Sequence, residues 1–406
     1  MNTLEAPFFE KFSALVQSPE FSDKVLHVES GAYENFACTL CGDCCNSPWK
    51  ISLHQSYYEE WFDFFNTHEN PRFHEPFVKR KKPTESDYAD MRRVEGTHRC
   101  IFLEPDNSCY IHAHHGEEAL SSVCREYPRG HKRIQDMLSS RILLGSCEAV
   151  VDVWNQPQHF FYEWVDRSPE KKVHAKNFQL PFHLRVPQHF LWVGLCLDVL
   201  SAPAPASPLQ RWLVLQEVLQ DLPEDVSRLA EGHWLYLHTQ TLQKLAFAFP
   251  VPPNDAEYAE AGQLLVDLLP HVHATGWLNT LMDRGERLPL LTEAEKEISH
   301  HYFKNYMQNR VLSIGLGDLF WGEVNFWEQN LALVAEVLII QTMARYHAIQ
   351  EQLPLAQHHL QRATVNVAKI LSQTRQTLDN LNIKGVSMTG AQHAMRILLR
   401  FENAGL

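Results

Sequence analysis

The chain has 406 residues, 45% of them hydrophobic, enough to bury a core in two or three structural units without relying on cross-links. Its formal net charge of −13, from 36 Lys+Arg against 49 Asp+Glu, argues against a nucleic-acid surface spread over the whole molecule, because a polyphosphate partner needs clustered cations. The longest apolar runs, such as LALVAEVLII at 331–340, are interrupted by Glu336 and fall short of a bilayer span, so no membrane-crossing segment is expected.

The N-terminal stretch MNTLEAPFFEKFSALVQS lacks a basic start followed by a continuous apolar run, so a cytoplasmic location is expected. Residues 1–150 hold eight of the nine cysteines among many short polar, Gly and Pro interruptions, which predicts an irregular cysteine-rich domain with short helices. Residues 151–200 read as an aromatic- and proline-rich connector leading into a first helix. Residues 201–406 predict an α-helical domain: SAPAPASP at 201–208 is an extended link, and Ser207-Pro208 is a good N-cap and first-turn pair for the helix that follows. Further helices are expected over 223–249, over 324–350 with a stripe of Trp327, Leu331, Val334, Leu338 and Ala344, after Pro354 and after Ser387. Strand alternation is scarce. The expected fold is mainly α, an irregular cysteine-rich N-terminal domain packed on a C-terminal helical bundle.

The cysteines carry the chemistry. Their spacing is Cys38-x2-Cys41-x2-Cys44-Cys45, then Cys100-x8-Cys109-x14-Cys124, and Cys147. In a reducing compartment so many clustered thiols point to a soft metal or an iron–sulfur cluster rather than to disulfides. Spacings of two residues bring successive sulfurs around one centre within a turn of chain. Adjacent Cys44 and Cys45 diverge, so a multinuclear cluster, two sites or one non-ligand suits the pair better than a single ion. A structural zinc needs only four ligands. An iron–sulfur cluster is favoured by the cations Arg125, Arg129, Lys132 and Arg133 that flank Cys124 and would balance a thiolate shell; the expected type is [4Fe–4S], with zinc as the alternative. Cys196, in the apolar LWVGLCLDVL, is expected to be a core residue.

The basic residues are uneven: Arg72 to Arg141 holds 13 Lys+Arg against 11 Asp+Glu, with KRKK at 79–82, and reads as solvated loop rather than a docking patch. Among the histidines, His112, His114 and His115 fall between Cys109 and Cys124 and offer a ligand or its hydrogen-bond partner. The pairs His300-His301 and His358-His359 sit in expected helices and read as surface residues. VLSIGLGD at 311–318, with Gly315 and Gly317, reads as a helix–helix turn, since no strand–helix series follows it.

CIFLEPDNSCYIHAHHGEEALSSVCREYPR at 100–129 resembles the corresponding segment of bacterial flagellin lysine-N-methylases, which share a cysteine-cluster domain with a wider zinc- or iron-chelating group having the C-x2-C-x2-CC pattern. CCNSPWKISL, SCEAV and the helical HYFKNYMQNRVL at 301–312 also resemble that branch. The opening cluster is tighter than in the methylases, and Cys147 is followed by Glu148 rather than by proline. The resemblance implies S-adenosylmethionine as methyl donor and a lysine of a flagellin-like protein as acceptor. The candidate catalytic residues are Tyr127, with Trp49, Tyr57, Tyr58 and Trp61 as an aromatic pocket for the lysine, and Arg125 and Arg129 as charge partners for the cluster or an anionic group; the eight cysteines are the candidate metal ligands. The competing reading is a zinc- or cluster-binding interaction module without catalysis of its own.

Overall fold

A computed structural model describes residues 2–134, 137–156, 159–167, 176–177, 186–204, 206–219, 222, 229–246, 290–312, 326–372 and 394–395. The chain is mainly helical and divides into two compact units, residues 36–130 and residues 1–35 together with 131–406. The sequence partition kept residues 1–150 together; the contacts group the first 35 residues with the later part of the chain.

The larger unit contains a sheet that the sequence reading did not anticipate. It is six-stranded, in the order β1 (Asn2–Leu4), β8 (Phe160–Asp166), β2 (Lys24–Ser30), β7 (Leu138–Leu143), β6 (Arg129–Ile134), β9 (Lys176–Asn177). β2 runs parallel to β7, with His27 opposite Ser139, and antiparallel to β8, with Leu26 opposite Trp164. Five consecutive residues of β2, Val25 to Glu29, are buried. A strand covered on both faces shows no polar alternation, which is why KVLHVES did not read as one. The aromatic connector contributes β8, whose FFYEWVD is rich in residues that suit a pleated surface.

Around this sheet lie helices α1 (Phe8–Gln17), α2 (Glu20–Asp23), α3 (Gly31–Asn35), α7 (Glu148–Trp154), α8 (Val186–Ser201), α9 (Pro208–Leu219), α10 (Glu231–Leu245), α11 (Glu293–Leu312), α12 (Phe326–Glu351) and α13 (Gln357–Ser372). α1 and α8 pack closely because Gly194 lacks a side chain: a Cβ there would lie 2.8 Å from the Cα of Phe9. Asp198 of α8 then accepts the first N–H groups of α1, from Phe8 at 2.7 Å and Phe9 at 2.9 Å, and meets His238 Nε2 of α10 at 3.0 Å. These bonds satisfy donors that a helix start leaves unpaired. The expected cap at Ser207 forms, with its Oγ accepting from Gln210 N–H and its own N–H donating to Gln210 Oε1.

α12 is buried all round from Leu331 to Ala344 rather than along a stripe. A 22-residue part of it, Asn330–Glu351, is long and apolar enough to cross a membrane, but 83% of the qualifying window is buried inside the protein, as in a core helix. Its Glu336 meets Arg310 Nη2 at 3.3 Å and accepts from the Tyr306 hydroxyl at 2.6 Å. Gly315, Gly317 and the helix expected after Ser387 lie outside the described residues, apart from a helical Ala394-Met395.

The smaller unit holds α4 (Gln55–Asn66), α5 (Tyr110–His115), α6 (Ser122–Glu126) and a three-stranded sheet in the order β3 (Ser52–Leu53), β5 (Ala89–Met91), β4 (Phe77–Lys79). Its core is Phe65, Phe73, Phe77, Phe102, Leu53, Met91 and their neighbours, and Cys100 belongs to it. With so little regular structure, many carbonyls need partners. Arginines supply them: Arg72 donates to Leu103 O, Arg92 to Arg72 O and His74 O, and Arg99 to Leu103 O and Glu104 O. Much of the local positive charge therefore staples loops internally.

Candidate metal centre

The loop CTLCGDCC can turn back on itself because Gly42 adopts φ +73 and Leu40 φ 55. A Cβ at Gly42 would stand 2.6 Å from Asn107 O, so glycine is required by both conformation and space. The loop closes in a short 3₁₀ turn, Cys44–Asn46, tied by Ser47 Oγ donating to Asp43 O at 2.8 Å. Asp43 thus serves the loop through its backbone carbonyl.

Seven of the eight predicted ligands belong to the smaller unit, and all nine cysteines are free thiols. Cys44 Sγ and Cys45 Sγ are 4.0 Å apart. The Cys45 thiol also donates toward Cys109, and the charges of Cys44, Cys100, Cys109 and Cys124 act on one another. Cys38 feels Cys41 and Cys44. Cys147 belongs to the other unit, where its carbonyl accepts the first bonds of α7.

Thiol ionisation is divided within the group. The Cys45 hydrogen bond, against the opposing effect of burial and with help from the N–H groups of His112 and Ile111 at the start of α5, lowers Cys109 to about 7. Cys44 is lowered by the same donor. Cys45 is raised, because its proton is held by Cys109 and Cys44. Burial pushes Cys100 up to about 11 and Cys124 up to about 12, the latter in spite of the Ser121 hydroxyl. Desolvation raises Cys38 against the Leu40 N–H, which donates to its sulfur at 3.4 Å.

Two arginines act on this group. Arg93, which the sequence reading missed, donates to Cys45 O at 2.7 Å and Trp49 O at 2.8 Å, pairs with Cys100 across a β-bridge, and favours the Cys100 thiolate. Nothing in the cysteine spacing signals it. Arg129 lies over the Phe36 ring at 4.9 Å and favours the Cys38 thiolate. Arg125 instead pairs with the exposed Glu118 at 3.2 Å. Lys132 and Arg133 have side chains outside the described residues. Tyr127 packs its ring 5.1 Å from Trp49. The Tyr57 hydroxyl donates to Ala119 O at 3.0 Å, and burial followed by the charges of Cys124, Cys109 and Cys100 raises it above the usual phenol range. Tyr58 packs against Phe62 and Tyr88, and Trp61 against Phe65. Of the three histidines, His115 packs among Trp61, Phe64 and Tyr110, and burial lowers it.

The donor set suits a thiophilic metal: free sulfurs, N–H groups directed at Cys38 and Cys109, and two nearby guanidiniums. A single tetrahedral zinc would draw its sulfurs to about 3.8 Å, from Zn–S bonds of about 2.3 Å. Cys44 and Cys45 meet that spacing, but among the described residues no three of the cysteine sulfurs lie within 4.8 Å of one another.

Two other polar groups were not anticipated. On the sheet, Ser139 Oγ meets His27 Nδ1 at 2.8 Å, His27 Nε2 meets Glu29 Oε2 at 3.3 Å, and Arg141 Nη1 reaches the same oxygen at 3.3 Å. The nearby cavity lined by Ser140 and Arg141 is only about 20 Å³, room for roughly one water, so this is an internal polar ladder. Glu351, His358 and His359 bring their ligand atoms within 4.8 Å. His359 is fully buried, not on the surface as expected, because its Nδ1 accepts from Ala356 N–H at 3.0 Å while Nε2 faces Glu351 at 3.1 Å. That bond places the imidazole proton on Nε2, which favours a hydrogen bond to the carboxylate over a metal.

Residues 37–140 match the CxxCxxCC family, described as "Putative zinc- or iron-chelating domain". The chain is 23% identical over 125 residues to a lysine-N-methylase of Salmonella choleraesuis, covering 30% of this chain and 31% of that protein, and 23% identical over 124 residues to the lysine-N-methylase of Salmonella typhimurium, with the same coverage. It is 22% identical over 125 residues to the flagellar biosynthetic protein FliU of Salmonella muenchen, covering 30% of this chain and 73% of that protein. The chain thus spans about a third of the length of the two methylases. No solved structure matches it. Over residues 37–140 the chain is thus similar to the zinc- or iron-chelating CxxCxxCC family, the group that its sequence resembles.

Proposed function

We propose that the protein is a lysine N-methyltransferase that acts on a flagellin-type protein in the cytoplasm, uses S-adenosylmethionine, and holds an iron–sulfur cluster in its cysteine domain. The observation that carries this reading is the gathering of Cys38, Cys41, Cys44, Cys45, Cys100, Cys109 and Cys124 in the one segment shared with proteins named lysine-N-methylase. Cys147, the eighth cysteine of the sequence pattern, lies in the other unit. The number of thiols, seven in one unit where a lone zinc needs only four, supports a multinuclear centre. When bound, such a cluster supplies redox or Lewis-acid chemistry through iron held by these thiolates.

In the methyl transfer itself the lysine amine attacks the sulfonium methyl carbon; the new N–C bond forms as the C–S bond breaks, and S-adenosylhomocysteine leaves. The amine must first lose its proton, at about 4.6 kcal/mol at pH 7 from a pKa near 10.4, so an aromatic, desolvating pocket is needed. Tyr127 beside Trp49 offers an aromatic wall, and Arg129 remains the better candidate for a charge partner, since Arg125 is engaged with Glu118.

The test is anaerobic isolation, with iron, sulfide and zinc quantified, followed by incubation with labelled S-adenosylmethionine and flagellin. Iron and sulfide with label on lysine is the expected result. Stoichiometric zinc without iron, or no donor binding by the loaded protein, would favour the non-catalytic module.

A further inference from the structure

We propose that a cleft in the larger unit, distinct from the cysteine centre, binds a small molecule bearing a phosphate or carboxylate group. The cleft has a volume of about 980 Å³ and lies along the first half of α11, beside the start of α9, Ala204 and Ala206, a size that holds a metabolite-sized ligand. Lys296, His300 and Lys304 follow one another at four-residue steps, so they form a row on one face of α11. Arg211 of α9 lines the same cleft.

The charges in this row are unevenly answered. Lys296 is bound to Glu293 at 2.7 Å near the mouth, and Glu297 is exposed at the rim. Further in, Arg211 donates to the carbonyls of Leu200, Ala204 and Ala206 at 2.6, 2.7 and 2.9 Å and meets no carboxylate among the described residues. Those three bonds use three of its five N–H groups. Lys304 has neither a hydrogen bond nor a carboxylate among the described residues, and stands close enough to Arg211 for the two charges to repel. Burial, then the Arg211 charge, lowers Lys304; burial, then Arg211 and Lys296, lowers His300. An anion between Arg211 and Lys304 would relieve this repulsion and take up the free donors, as charge-assisted bonds do. The acidic groups that line the cleft, Glu293 and Glu297, are exposed, and Glu293 is already engaged with Lys296.

The probes are inorganic phosphate, pyrophosphate and citrate, titrated into the full-length protein by calorimetry and thermal melting. Saturable binding to the wild type is expected, weakened at least about tenfold in Lys304→Met. Lys304→Met should itself melt higher than the wild type in anion-free buffer, since one of two repelling charges is gone. Should that variant fail to fold, acetic anhydride labelling of wild-type Lys304 serves instead, and pyrophosphate should slow it. Absence of binding at millimolar concentration of all three anions, equal binding by the variant, or labelling unaffected by pyrophosphate would overturn the proposal.

Discussion

Arg93→Ala should loosen the cysteine loop without touching a sulfur. The wild-type guanidinium makes two bonds, at 2.7 Å to Cys45 O and 2.8 Å to Trp49 O. Bonds to a charged donor contribute about 1.5–3 kcal/mol each. Arg93 is half-buried, so the low end applies, and the pair amounts to about 3 kcal/mol. Cys45 O retains the Cys100 N–H at 2.8 Å, so the loop keeps one anchor while Trp49 O loses its own from Arg93. Arg93→Lys, with a point charge in place of a fork, should lose roughly half as much. Denaturant unfolding of the metal-free protein reads the first quantity. Metal retention against a chelator reads the second, and since 1.4 kcal/mol is tenfold, about 3 kcal/mol corresponds to an affinity loss of roughly a hundredfold if the whole effect falls on the loaded state. Arg93→Ala unfolding within about 0.5 kcal/mol of wild type, with unchanged metal retention, would refute the reasoning.

Glu336→Ala removes a carboxylate that is 2% exposed from Arg310 and Tyr306, and should cost about 3–5 kcal/mol in denaturant unfolding. His189 is buried with neither ring nitrogen hydrogen-bonded, and burial lowers it to about 4. Its neutral form is favoured by the fold, so stability is present above the ordinary value near 6.5 and is lost as pH falls toward 4, up to about 3 kcal/mol; His189→Leu should flatten the melting temperature between pH 7 and 4.5. In metal-free protein the raised Cys100 and Cys124 act in the opposite range: stability is present below the ordinary thiol value near 8.5 and lost as pH rises toward 11 and 12, which thermal melting with a Cys100→Ser control would show. Cys196→Ala, in the core of α8, should leave metal content by elemental analysis unchanged.

The cysteine centre was legible because its signal is local: C-x2-C-x2-CC encodes its geometry within eight residues, and Gly42 within the loop marks the turn. Helices with capping residues, such as Ser207-Pro208-Leu-Gln210, were equally readable. The sheet was not. Pairing β2 with β7 and β8 joins residues more than a hundred positions apart, and burial on both faces erased the alternation that would have betrayed β2. Arg93 escaped notice for a related reason, since its partners are backbone carbonyls, which leave no trace in side-chain identity. Helical spacing separates His358 from His359 and gives no sign of Glu351, which the turn before α13 brings to His359.

The arginine staples of the smaller unit have a chemical consequence. A guanidinium keeps its charge at any pH the protein survives, whereas the sulfurs must shed protons to hold metal. Acid or a chelator would therefore strip the inorganic guest while leaving the loops that receive it fastened by Arg72, Arg92, Arg93 and Arg99. The smaller unit would then stand as a folded receptor awaiting refilling, so that loading could follow folding rather than drive it.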